Sequence, residues 1–149
     1  MCGTKLVSGK NNKAKGVELV VENSKGQQNL KADVVLLSVG RKPFTDGLDL
    51  TKAGLATNQW GKVDINDHWQ TSKPHIYAIG DVVSGPMLAH KAEEEGIAAV
   101  EHLCGEGGHV NYGAIPGVIY SYPEVANVGQ SEEELKEAGI QYVKGVFPF

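Results

Sequence analysis

Polar and apolar residues alternate over the first thirty or so positions of the chain and then give way to an unbroken apolar run. Residues 4–8 are strand-prone, and a turn-rich break at 11–16 follows. Over 17–22, Val17, Leu19 and Val21 fall on one face and Glu18 and Glu22 on the other, the period of a half-buried strand. A turn at 24–28 leads into a return over 29–32, so the pattern predicts a β-meander. Residues 34–39, Val-Val-Leu-Leu-Ser-Val, are apolar on both faces and predict a strand covered on both sides. Gly40-Arg41-Lys42-Pro43 ends it, because proline cannot continue the pairing.

The middle of the chain is less regular. Residues 48–53 predict one or two helical turns, 62–65 a short strand, and 76–79 a buried strand. Residues 87–103 carry the strongest helical pattern, with Leu88, Ala92, Ala99 and Leu103 near one face and Glu93, Glu94 and Glu101 toward solvent. Gly96 inside that helix costs ~1 kcal/mol against alanine, which close packing would explain. After the glycine-rich break at 105–108, residues 118–122 and 125–128 predict strands around Pro123. Ser131 with Glu134 three residues on forms a capping box, Gly139 ends the short helix, and 140–147 is a further strand candidate.

Composition narrows the class. At 149 residues, 41% apolar and 21% charged, the chain is built like a soluble globular protein. A net charge of -4 argues against a nucleic acid or an anionic membrane as partner. The 2 cysteines, Cys2 and Cys104, are too few for a secreted disulfide scaffold and suit a reducing compartment. No stretch reads as a membrane span, a signal peptide or a transit peptide. If the protein is imported into an organelle, its address is missing from this sequence.

The chemistry centres on 75–96. An apolar segment ends in Gly80-Asp81, and a helix start follows at Gly85-Pro86-Met87-Leu88-Ala89-His90. Asp81 at a strand end suits the acceptance of a hydrogen bond from a sugar or ribityl hydroxyl; equally, it suits a turn residue capping its own loop. Free N–H groups at the helix start suit electron density on a flavin pyrimidine edge; equally, they suit an ordinary helix packed on the core. His90 reads alone as a hydrogen-bonded structural histidine. Gly40 permits a nicotinamide dinucleotide to approach the backbone, with Arg41 adding charge, or it is a plain turn.

Other candidates lack support. His102, Cys104 and His109 fit no zinc pattern, so no metal site is expected. Glu93, Glu94 and Glu95 read as a solvated helix face, and Trp60, Trp69 and Tyr77 as packing residues. The sequence has no Gly-x-Gly-x-x-Gly, no closely spaced cysteine pair and no His-Pro with a nearby Glu. No catalytic residue is therefore assigned.

Several segments, in order, resemble the dihydrolipoyl dehydrogenases among the flavin-dependent pyridine nucleotide-disulfide oxidoreductases. They are the run from Asp33 to Thr45, Ile76-Tyr77-Ala78-Ile79-Gly80-Asp81-Val82-Val83, Gly85 to Gly96, Ile115 to Tyr120, Pro123-Glu124-Val125-Ala126, and Val128-Gly129. The Gly-Asp motif is shared with glutathione and mercuric reductases, whereas Gly-Pro-Met-Leu-Ala-His-Lys-Ala-Glu is more particular to the lipoyl enzymes. One departure is Ser121-Tyr122-Pro123, where the family usually has Thr-His-Pro or a near variant.

The resemblance implies an α/β fold and an internal fragment of three adjacent domains. Residues 1–41 would be the C-terminal part of a Rossmann-like NAD domain, 42–111 the central domain completing the FAD site, and 112–149 the start of an α+β dimer-interface domain. Asp81 would bind FAD through a ribityl hydroxyl, Met87, Leu88, Ala89 and His90 would line the flavin, and Gly40 would touch NAD. The implied partners are dihydrolipoamide on a lipoyl carrier domain of a 2-oxo acid dehydrogenase complex and a second copy of the parent enzyme. The implied compartment is the mitochondrial matrix, with bacterial cytoplasm as the alternative. The isolated chain is expected to be inactive, because the redox cysteines and the acid–base pair lie outside it. The alternatives are another flavin disulfide reductase, or a non-catalytic truncated module that binds intact subunits.

Overall fold

The computed structural model describes residues 1–148. The chain divides into two compact units, Met1–Gly40 and Arg41–Phe149.

The first unit is an antiparallel meander of β1 (Lys5–Asn11), β2 (Val17–Asn23) and β3 (Gly26–Ala32), in the order β1-β2-β3. The register pairs Lys5 with Glu22 and Val17 with Ala32, with an irregularity between Leu6 and Ser8. A short 3-10 turn, Lys13–Lys15, joins β1 to β2. Gly16, at φ 78°, ends it where a Cβ would lie 2.6 Å from the Ala32 carbonyl oxygen, so only glycine fits. Asn23 turns the second hairpin by accepting the Lys25 N–H at 2.8 Å. Val21 is the buried residue of this sheet.

Residues 34–39 form no strand. Val34 and Leu36 are 82% and 87% exposed, against the expectation of a covered strand. A run apolar on both faces needs a neighbour on each side, and no described strand pairs with it.

The second unit is organised around α1 (Ala89–Leu103). Trp69, Ala98, Ala99 and Val110 form its core, with Ile65, Tyr77 and Ile115 packed against them. The segment before α1 is held by turns rather than strands. Residues 48–53 make turns closed by Lys52 N–H to Asp49 O at 2.8 Å and Leu55 N–H to Leu50 O at 2.9 Å. The strands expected at 62–65 and 76–79 are reduced to two isolated bridges, Thr57 with Val63 and Gln70 with Tyr77. Side-chain turns interrupt the pairing: Asn58 Oδ1 accepts the Trp60 and Lys62 N–H groups, and Asn66 Oδ1 accepts those of His68 and Gln70. Ile79 is exposed rather than buried.

The buried stripe of α1 is Lys91, Glu95, Ala98 and Ala99. Leu103, expected on the core side, is exposed. Glu95 is 1% exposed, which corrects its reading as part of a solvated face, while Glu93 and Glu94 are exposed as expected. Gly96 does pack closely, since a Cβ there would lie 3.3 Å from Ile79 Cδ1.

Beyond α1, a 3-10 turn at Tyr112–Ala114 leads to a hairpin of β4 (Gly117–Ile119) and β5 (Val125–Asn127), then α2 (Glu132–Glu137). The capping box is formed in both directions, Glu134 N–H to Ser131 Oγ at 3.2 Å and Ser131 N–H to Glu134 Oε2 at 2.7 Å. Gly139 follows at φ 67°. The expected strand at 140–147 is absent. Two of its side chains instead reach back to α2, Tyr142 Oη and Lys144 Nζ each 2.7 Å from a Glu132 carboxylate oxygen.

Candidate functional site: the Gly80–Asp81 turn and the start of α1

Gly80, at φ 74°, begins a 3-10 turn, Gly80–Val82, where a Cβ would meet Ala92 Cβ of α1 at 3.1 Å. A side chain here would be both strained and crowded, so glycine lets the turn sit against the helix. Gly80 is buried, whereas the next residue, Asp81, is exposed, and among the described residues its carboxylate has no hydrogen-bond or ionic partner. The turn therefore presents an unspent acceptor outward from a fixed backbone.

What fixes that backbone is a buried ion pair. Lys91 Nζ lies 3.0 Å from Glu95 Oε1, and both side chains are almost wholly buried. Glu95 Oε2 accepts the Gly80 N–H at 2.7 Å, and Lys91 Nζ donates to the Gly80 carbonyl at 3.1 Å. Tyr112 donates its hydroxyl to Glu95 Oε1 at 2.9 Å. Tyr112 is exposed as a whole residue, but its hydroxyl end is inserted beside Glu95 and Trp69. Burial of that end, followed by the Glu95 carboxylate, raises the Tyr112 pKa above its ordinary value, partly offset by the Trp69 indole donor.

The start of α1 is open. Leu88 is an extended N-cap with no side-chain cap, and the first turn carries no acidic residue. Its leading N–H groups therefore offer partial positive charge to a ligand. Met87, Leu88 and His90 are half-buried there and Ala89 is exposed. His90 Nε2 lies 2.9 Å from the Pro116 carbonyl oxygen, the distance of a hydrogen bond in the Nε2–H tautomer. Beside the Gly85–Met87 loop lies a cleft of about 880 Å³ lined by Arg41, Lys42, Trp60 and Lys62. Trp60 is 67% exposed at its wall, which corrects its reading as a packing residue.

The structure thus gathers Asp81, Met87, Leu88, Ala89 and His90 in one turn-to-helix segment. Gly40 belongs to the other unit, exposed at φ 69° with nothing within 4 Å of a Cβ built on it. Sequence reasoning missed Lys91, Glu95 and Tyr112. The i, i+4 spacing of Lys91 and Glu95 was the available signal, but it is shared with any solvated helix pair. Cys2 and Cys104 are exposed thiols, and His102 stacks on His68 at 4.0 Å. Among the described residues no three His, Cys, Asp or Glu side chains converge as metal ligands.

The fold and this segment define a class. Residues 1–96 match the model of the pyridine nucleotide-disulphide oxidoreductases, and residues 115–149 match the dimerisation domain of the same enzymes. The chain belongs to the pyridine nucleotide-disulphide oxidoreductase family. It is 53% identical over 151 aligned residues to "Dihydrolipoyl dehydrogenase 2, mitochondrial" of Arabidopsis thaliana, covering 100% of this chain and 30% of that protein. It is 53% identical over 148 residues to a soybean (Glycine max) protein named leghemoglobin reductase, covering 98% of this chain and 28% of that one. The flavoprotein disulfide reductase RclA of Escherichia coli has a similar fold, at TM-score 0.72 and 25% identity, over 91% of this chain and 30% of that chain. The chain thus spans under a third of the length of these relatives. The α/β class expected from the sequence is that of the family, whose cofactors are FAD and NAD.

The residues present fit the flavin cofactor. An outward carboxylate without a partner and an uncapped helix start supply an acceptor for a hydroxyl and donors for a ring edge. The sequence has no Gly-x-Gly-x-x-Gly loop for the pyrophosphate of NAD, and Gly40 is an exposed glycine at φ 69°.

Proposed function

We propose that this chain is the flavin-completing section of a dihydrolipoyl dehydrogenase, which reoxidises protein-bound dihydrolipoamide with NAD. In this reading, residues 1–41 end the NAD domain, 42–111 form the central domain, and 112–149 begin the dimer interface. Asp81 accepts a hydrogen bond from a ribityl hydroxyl of FAD. The backbone at Met87, Leu88, Ala89 and His90 lines the flavin and directs helix N–H groups at its pyrimidine edge. Bound FAD supplies the relay that accepts two electrons from a reduced cysteine pair and delivers them to NAD. Gly40 contributes a point of backbone approach for NAD.

The observation that carries this reading is the unpartnered Asp81 carboxylate one residue after a clamped Gly80, in the same segment as an uncapped helix start. The whole-chain identity to a dihydrolipoyl dehydrogenase supports the substrate class, and the match at 115–149 supports a homodimer of the parent enzyme. The name of the Arabidopsis relative supports the mitochondrial matrix, and with it service to a 2-oxo acid dehydrogenase complex. Among the described residues no helix is long and apolar enough to cross a membrane.

The test is Asp81→Asn in the full-length flavoprotein. Losing a charge-assisted hydrogen bond should weaken FAD binding roughly ten-fold or more. An unchanged FAD dissociation constant would remove Asp81 from the site. The isolated chain should not reduce NAD with dihydrolipoamide, and measurable turnover by a pure sample would overturn that part of the account.

A further inference from the structure

Among the described residues, Lys91 and Glu95 are the two charged side chains essentially sealed from solvent, at 0% and 1% exposure. Burying a charge pair is costly, and a helix gains little from one that a pair of apolar residues would not also give. The pair does something an apolar pair cannot. It bonds both polar groups of one residue, Glu95 taking the Gly80 N–H at 2.7 Å and Lys91 the Gly80 carbonyl at 3.1 Å.

Those two bonds constrain the peptide planes on either side of Gly80. Gly80 lies at φ 74°, a region glycine visits about as readily as negative φ, and within the turn its carbonyl also accepts the Val83 N–H at 3.2 Å. Asp81 follows Gly80 in the same 3-10 turn, so the Gly80 backbone sets where the Asp81 Cα and the base of its side chain lie. Among the described residues the exposed Asp81 carboxylate has no partner.

We infer that Lys91 and Glu95 are positioning residues for the flavin site, clamping Gly80 so that the Asp81 carboxylate is pre-aimed at the cofactor hydroxyl. This rests on the reading of Asp81 as a ligand to FAD. The clamp acts through Asp81 and does not touch the cofactor. Pre-aiming removes an ordering cost that a free glycine turn would otherwise meet on binding.

The experiment is a double-mutant cycle on FAD affinity in the full-length apoprotein. Lys91→Met/Glu95→Leu cuts both side-chain bonds to Gly80 while removing the two charges together. Lys91→Met/Glu95→Gln leaves an acceptor for the Gly80 N–H and serves as the milder variant if the first does not fold. Each is combined with Asp81→Asn. The clamp variants are expected to weaken FAD binding roughly ten-fold when Asp81 is present, the milder one less, and to have almost no effect in the Asp81→Asn background. Equal weakening in both backgrounds would make the pair a structural support only and overturn the inference. So would clamp variants that bind FAD normally while Asp81→Asn does not. If Asp81→Asn itself has no effect, the reading of Asp81 fails and the clamp's role falls with it.

Discussion

Trp69 donates its indole N–H to the Tyr112 hydroxyl at 3.1 Å, joining residues 43 positions apart. Tyr112 in turn donates a hydrogen bond to Glu95 Oε1 at 2.9 Å, so one hydroxyl links the buried tryptophan, the ion pair and the turn that leads into β4. Trp69 itself lies at φ 59°, an uncommon conformation for a bulky residue. The Asn66 side chain holds it there by accepting the N–H groups on either side, from His68 and Gln70 at 3.0 Å each.

Tyr112→Phe should therefore destabilise the second unit beyond the loss of one surface contact. It removes an acceptor from the buried indole and a donor from Glu95, at a cost of about 1–2 kcal/mol. Denaturant unfolding followed by tryptophan fluorescence would measure it. No change in midpoint would mean that water replaces the hydroxyl on both sides.

Ser131→Ala should loosen α2. The capping box satisfies the N–H groups of both Ser131 and Glu134, and losing such a cap costs about 0.5–2 kcal/mol. Amide exchange over residues 134–138 should quicken by a corresponding factor, with α1 unaffected.

Glu132 should make the end of the chain sensitive to acid. Lys136, then Lys144 and Tyr142, hold its carboxylate down to about 2. A depressed folded pKa contributes stability that is complete above the unfolded value of 4.5 and is lost as pH falls toward about 2. The cluster lies at the surface, with both lysines exposed, so the effect should be small and should shrink with added salt. The same contact pushes the Tyr142 hydroxyl up to about 12, chiefly through its hydrogen bond to Glu132. Glu132→Gln should return Tyr142 toward its ordinary 10.0, as read by an ultraviolet titration.

Local rules carried much of the fold. The β1–β3 meander, the extent of α1 and the capping box of α2 each depend on residues close in sequence. The runs at 34–39, 62–65 and 76–79 have strand-like sequences but lack a continuous neighbouring strand, and a single segment cannot declare its partner. In the site, Asp81 and the start of α1 stood out because a turn and a helix end leave local marks. Glu95 did not, because its burial depends on Lys91 neutralising it and on Gly80 and Tyr112 arriving from other segments.

The most direct measurement is the structure of the FAD-loaded full-length flavoprotein that carries this segment. The account predicts an Asp81 carboxylate oxygen about 2.5–3.0 Å from a ribityl oxygen of FAD, with the Gly80 clamp intact. An Asp81 side chain turned to solvent, with no oxygen of the cofactor within hydrogen-bond reach, would contradict it.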